Sequence, residues 1–200
     1  MADLVWYVAY GSNLGRARLQ RYLDRGPEPT PPRADRPMTI GPAVFFAGES
    51  QVWGGGRAYL DHTMVEPAGT PARAWLLTRV QWDHLHAQES GSDHTAGTEP
   101  GSLAVGEVRV VGEGRYDALI GLGRHDGVPV ATFTRPEPLD LTTCTRPAAD
   151  YLRAIATGLA EAHGLTPDEA AAYLASRPGM AGCWTVAEVR AALRAEAGPG

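Results

Sequence analysis

The side chains best placed to do chemistry in this chain lie in two short stretches. The first is Tyr10-Gly11-Ser12-Asn13-Leu14, which follows the apolar run Leu4 to Ala9. A strand that ends in Gly-Ser-Asn ahead of a helix brings several backbone N–H groups together with a serine hydroxyl and an asparagine amide near a positive helix end. Such a loop can hold a carboxylate or a developing oxyanion. The same residues are ordinary turn and N-cap vocabulary, so turn chemistry alone leaves a structural and a binding role equally open. The second stretch ends at Glu89. Trp82, Leu85 and Glu89 are spaced i, i+3, i+7, which puts the carboxylate on the apolar face of a helix. Desolvation there, with the negative helix end nearby, raises a carboxyl pKa toward neutrality, the tuning a general base needs.

Other constellations are weaker. His84, His86, Glu89, Asp93 and His94 cluster in sequence, but His84 and His86 point to nearly opposite faces of a helix and no His-x-x-x-His pair exists, so no metal is expected. Glu49 and Asp61-His62 are back-up acid/base candidates. Gly54-Gly55-Gly56 and Gly121-Leu122-Gly123 lack the endings of phosphate loops and read as turns or tight backbone contacts. Ser12 lacks the Gly-x-Ser-x-Gly frame of a hydrolase nucleophile. Cys144 and Cys183 have no partner at metal-ligand spacing and suit a reducing compartment.

The positioning elements follow from periodicity. Leu4 to Tyr10 reads as a buried strand; Leu19, Tyr22 and Leu23 recur at helical spacing before Gly26-Pro27. Glu28 to Pro37 is proline-rich and reads as an irregular surface loop. Val44 to Ala47, Gly56 to Leu60, Ala72 to Thr78, Leu103 to Val111 and Val128 to Thr134 read as short strands. Thr78-Arg79-Val80-Gln81 has the form of a capping box, predicting a helix over 79–89. Leu152, Ile155, Leu159 and Ala162 form one apolar stripe closed by Gly164, and Thr166 and Thr185 open two further helices. Strands first and helices last predict an α+β fold, with a small mostly antiparallel or mixed barrel over about residues 1–145 and helices over about 148–197.

A length of 200 residues with 44% hydrophobic content suits one domain. Net charge is −5 and the arginines are mostly isolated, so no nucleic-acid partner is expected. No apolar run approaches membrane length, and Leu4 to Tyr10 is too short for a secretory core, so a cytoplasmic location without a membrane partner is expected. Oligomeric state is left open by the sequence.

Trp6 to Leu14 resembles the opening of the gamma-glutamylcyclotransferase-like family, an aromatic strand running into Tyr-Gly-Ser-Asn-Leu. Ser50 to Ala58, containing Trp53-Gly54-Gly55-Gly56, resembles the family's Trp-x-Gly-Gly segment. Leu85 to Gly91 resembles its helix end, Leu-x-x-x-Glu-Gly. Arg146 to Leu152, with Gly158 and His163-Gly164-Leu165 behind it, resembles its late Pro-Ser-x-x-Tyr helix. The resemblance implies a compact barrel flanked by helices, no cofactor, and release of 5-oxoproline from a small-molecule gamma-glutamyl substrate. It implies that Tyr10, Gly11, Ser12, Asn13 and Leu14 bind the glutamyl group and that Glu89 moves the proton. Two departures bear on substrate identity. Members of the mammalian type carry a tyrosine several residues after the glutamate, where Ser92 to Gly97 has no aromatic, and Ser90 stands where glycine is usual. The alternatives are a non-catalytic binding module for glutamate-like anions and a regulatory interaction domain using the arginine-spotted carboxy-terminal helices.

Overall fold

The computed structural model describes residues 3–91, 99–180 and 182–195. Six strands form one mixed sheet in the order β2-β3-β1-β6-β5-β4. They are β1 (Leu4–Ala9), β2 (Ala34–Ala47), β3 (Arg57–Thr78), β4 (Val108–Val110), β5 (Ala118–His125) and β6 (Val128–Thr134). The helices are α1 (Arg16–Leu23), α2 (Arg79–Ser90), α3 (Ala149–His163), α4 (Pro167–Ala175) and α5 (Val186–Arg194). Among the described residues, no helix is long and apolar enough to cross a membrane.

Strand β1 sits at the centre, antiparallel to β3 and parallel to β6. Its apolar run is continuous because both of its faces are covered. Trp6, Val8 and Tyr10 join the cluster formed with Leu152, Ile155 and Leu159 of α3, while Val5, Tyr7 and Ala9 join the one formed with α1 and α2. The central strand therefore delivers the loop that follows it between two helical layers.

The sheet does not close into the expected barrel. Among the described residues β2 and β4 are the sheet's outer strands, and β4 is only 3 residues long, too short to carry a closing ladder. Side chains tie the inner strands together past the end of β1. Thr134 Oγ1 accepts from Leu60 N at 2.8 Å and bonds Leu60 O at 3.1 Å, and the Tyr116 hydroxyl donates to Ala58 O at 3.2 Å.

Three further expectations change. The stretches Gly56 to Leu60 and Ala72 to Thr78 are the two ends of one 22-residue strand, β3, whose pairing with β2 shifts register around Pro42. Strand β2 begins at Ala34, inside the stretch read as a loop, because an edge strand tolerates Pro37 and Pro42. Strand β5 runs through Gly121-Leu122-Gly123, where the ladder skips a residue between Gly121 and Gly123. A Cβ at Gly121 would lie 2.2 Å from Ala104 O, so that glycine serves a close backbone approach.

The helices form as their start and stop signals dictate. Thr78 Oγ1 accepts from Gln81 N at 3.2 Å, Gln81 Oε1 accepts from Thr78 N at 3.1 Å, and Gly91 ends α2 in the left-handed region at φ 72°. Thr166–Glu169 and Thr185–Glu188 form the same box at the starts of α4 and α5. Helix α3 crosses the loop after β1 at Gly158, where a Cβ would lie 2.3 Å from Leu14 Cβ and 2.6 Å from Gly15 N. Backbone cannot yield there as a flexible side chain can. Gly158→Ala should therefore lower unfolding free energy by about 1–3 kcal/mol, the usual range for overpacking. A urea midpoint unchanged from the parent would show that α3 and the loop slide apart at no cost.

Candidate functional site

The loop that leaves β1 makes a single 3-10 turn, Ser12–Leu14, in which Leu14 N donates to Gly11 O at 3.0 Å and Gly15 N to Ser12 O at 3.2 Å. The opening N–H groups of such a turn have no acceptor within it. Its carbonyls are held from β3. Trp75 Nε1 donates to Asn13 O at 2.9 Å, and Arg73 Nη1 donates to Leu14 O at 3.1 Å. Arg73 is buried, ion-paired with Asp35 at 2.8 Å and Glu161 at 2.9 Å, and lies over the Trp75 ring at 4.0 Å. Burial pushes Asp35 up, but the guanidiniums of Arg73 and Arg16 outweigh it and hold the carboxyl below its ordinary range.

The turn opens on a cavity of about 330 Å³, within the usual range for a small-molecule site. Tyr10, Gly11, Ser12, Asn13 and Glu89 all line it. Leu14 does not; its side chain is fully buried in the core beside α3, so only its carbonyl takes part, as an anchor. Tyr10 lines the wall, but its hydroxyl already donates to Phe133 O at 2.8 Å. A Cβ at Gly11 would come 3.2 Å from the Tyr151 hydroxyl, so glycine keeps that corner open.

Glu89 meets the loop directly. Asn13 Nδ2 donates to Glu89 Oε1 at 2.8 Å and lies 3.4 Å from the Tyr7 hydroxyl. Asn13 Oδ1 is buried without a partner among the described residues. Helix α2 sets Trp82 and Leu85 in the core and turns Glu89, half-buried, to the cavity. Burial raises the Glu89 pKa above the ordinary carboxylate value, opposed by hydrogen bonds from Asn13 and Tyr22 and by the charges of Arg18 and Arg115. Ser90, buried behind it, pairs its hydroxyl with His86 Nε2 at 3.1 Å.

The remaining walls are aromatic and cationic. The loop over 50–56 folds on Ser50, which accepts from Trp53 N at 3.1 Å, and stacks the Trp53 ring near Tyr151 at 5.4 Å. Arg18 lies 4.9 Å from the Trp53 ring centre and 5.1 Å from that of Tyr22. Arg25, Arg57 and Arg115 also line the cavity.

Solved structures similar to this one include two that bear on the fold. One is described as a gamma-glutamyl cyclotransferase, 18% identical, with a TM-score of 0.54 over 88% of this chain and 89% of that one. The chain has the gamma-glutamyl cyclotransferase-like fold. The other is an uncharacterized protein from Homo sapiens, 16% identical, with a TM-score of 0.51 over 94% of this chain and 99% of that one. Comparison with protein-family models gives no match, and comparison with curated proteins gives none.

On the gamma-glutamyl cyclotransferase-like fold, the rival residues have other partners. Glu49 is exposed and outside the cavity. Asp61 Oδ1 accepts from Thr63 N and Oγ1, and His62 Nε2 bonds Pro136 O at 3.1 Å. His86 Nε2 contacts Tyr116 O at 3.1 Å and Asp117 Oδ1 at 3.3 Å, away from Glu89. Among the described residues, no three His, Cys, Asp or Glu side chains gather into a metal-sized group. Asp93, His94 and the stretch Ser92 to Gly97 lie outside the described residues. Cys144 is half-buried and Cys183 exposed, both free. Sequence reasoning missed Arg18, Arg25, Arg115 and Tyr116 as wall residues, the one local signal among them being the i, i+4 pair Arg18/Tyr22 on α1; Tyr7, Trp53 and Arg57 lie in the family-like segments but were given no wall role.

A carboxyl whose pKa is raised on folding favours the folded state below its unfolded value, near 4.3, and loses that advantage as pH rises through the folded value. Glu89→Gln removes this dependence. The variant should match or trail the parent in acid and gain on it as pH rises through the raised Glu89 pKa, then hold a constant lead. Urea midpoints across a pH series measure this, and a lead that shrinks with rising pH would mean that Glu89 is stabilised as the anion.

Proposed function

We propose that this protein is a gamma-glutamyl cyclotransferase that releases 5-oxoproline from a gamma-glutamyl amino acid, peptide or amine, with Glu89 as general acid/base. The observation that carries this reading is the 2.8 Å hydrogen bond between Asn13 and Glu89, which joins residues 76 positions apart inside one cavity. Both segments were singled out from sequence, and the fold supports the same reaction class.

The reaction needs little machinery. The substrate's α-ammonium gives a proton to Glu89, and the freed amine attacks the γ-carbonyl carbon, forming the ring C–N bond. Glu89 gives that proton to the leaving nitrogen as the tetrahedral oxyanion collapses and the bond to it breaks, and the regenerated carboxylate then carries the surplus proton of the attacking nitrogen to the departing amine, which leaves as an ammonium. One carboxylate of raised pKa serves both transfers. The N–H groups opening the turn at Ser12 and Asn13 can take the oxyanion or the glutamyl carboxylate. The cavity walls hold the chain folded for five-membered ring closure, where positioning supplies much of the rate. The Asn13 amide fixes the carboxylate's orientation and lowers the cost of its ionised form.

Glu89→Gln keeps size and polarity but cannot accept a proton. Release of 5-oxoproline should fall by roughly 100- to 10,000-fold while 5-oxoproline binding changes far less. A folded variant that turns over near the parent rate would remove Glu89 from the mechanism. Asn13→Ala withdraws a donor that holds the Glu89 pKa down, so the rising limb of kcat/KM against pH should move to higher pH. A limb that stays in place would show that the amide does not tune the base.

A further inference from the structure

The cavity carries four guanidiniums, from Arg18, Arg25, Arg57 and Arg115, around the single carboxylate of Glu89. Arginine elsewhere in this chain is commonly neutralised: Arg16, Arg73, Arg79 and Arg177 each pair with an acidic side chain. None of the four cavity arginines has such a pair among the described residues. Arg18 is the most constrained, held between the Trp53 and Tyr22 rings, with its Nε buried and without a hydrogen-bond partner. Its Nη2 donates to the Tyr22 hydroxyl at 3.3 Å, a neutral partner that leaves the guanidinium charge without a paired carboxylate among the described residues. Arg57 is half-buried and reaches only the Tyr59 hydroxyl, at 3.5 Å. Arg25 and Arg115 are exposed at the mouth, Arg115 beside the carboxy-terminal end of α2.

A gamma-glutamyl group cannot balance this charge. It brings one α-carboxylate and one α-ammonium; the carboxylate satisfies one guanidinium, and the ammonium is the proton source for Glu89. An excess of cationic groups therefore surrounds the remainder of the cavity, and a leaving group that is cationic or uncharged would meet it unfavourably. The geometry points to a substrate whose leaving amine is itself at least dianionic, such as an acidic amino acid with both carboxylates free, held by Arg57 and the mouth arginines. This specificity rests on the cyclotransferase reading proposed above. Bidentate carboxylate recognition by guanidinium gives both affinity and register, and the cationic mouth steers anions inward against the net charge of −5 of the whole chain.

The test compares gamma-glutamylglutamate with gamma-glutamylglutamine, which have nearly the same shape and differ by one negative charge. In 5-oxoproline release, the parent should favour the glutamate compound by about tenfold or more in kcat/KM, a preference that shrinks as salt is added. Arg57→Gln and Arg115→Gln should each move that ratio toward one, chiefly by raising KM for the glutamate compound and with a smaller effect on the glutamine compound. Calorimetric binding of both dipeptides to Glu89→Gln separates the two levels of inference. Equal turnover of both compounds by the parent would overturn the dianion specificity and leave the reaction standing. Binding that prefers the glutamate compound, with no 5-oxoproline formed from either, would overturn the reaction and support the anion site. Failure to distinguish them in binding, with no turnover, would overturn both.

Discussion

A buried cation holds the working end of this molecule in place. Arg73 sits on β3 beneath the turn that follows β1, ion-paired to Asp35 of β2 and Glu161 of α3, stacked on Trp75 and donating to Leu14 O. One guanidinium thus ties two strands, a helix and the loop backbone. Asp35 and Glu161 both reach solvent, so each pair adds little net stability, but Arg73 itself is buried and depends on them to compensate its charge. The arrangement is best understood as specifying geometry. Trp75 completes it by holding Asn13 O, while the Asn13 side chain meets Glu89 in the cavity.

From that anchor the electrostatics of the cavity follow. Burial opposes ionisation of Glu89, while the amide of Asn13, the hydroxyl of Tyr22 and two guanidiniums favour it. The balance remains on the side of burial, so the carboxyl stays easier to protonate than an exposed one while keeping partners for its anion. The aromatic walls serve both sides of this balance, since Tyr7, Phe133 and Trp82 pack behind the site and limit water access. A protein of negative net charge thereby surrounds its candidate base with positive charge.

The legible parts of the chain were those governed by short-range rules. The capping box at Thr78 and Gln81, the left-handed stop at Gly164, the paired boxes at Thr166 and Thr185, and the period of α3 all appear where local pattern puts them. The illegible parts were those where neighbours override local preference. The chain around Gly121 reads as a turn or a tight backbone contact; the contact, with Ala104, is present, but it lies inside a strand that glycine leaves unmarked in the local pattern. Prolines in β2 read as a loop because nothing local marks an edge strand. That the sheet stays open follows from the 3-residue length of β4, and the contact of Thr134 on β6 with Leu60 on β3 joins distant segments; neither has a sequence period.

What the sequence by itself determined is the five helices and the strands β1 and β6, the apolar face of α2 that carries Glu89, and the turn vocabulary at Gly11 to Asn13, because each depends on residues within a few positions of one another. Only the tertiary structure decided that Asn13 and Glu89 touch, that Leu14 faces the core and not the cavity, and that Arg18, Arg25, Arg57 and Arg115 share one space. Those relations join residues tens of positions apart on a strand end, two helices and two loops. They are set by the packing of α1 and α2 on one face of β1 and of α3 on the other, and no spacing along the chain encodes them.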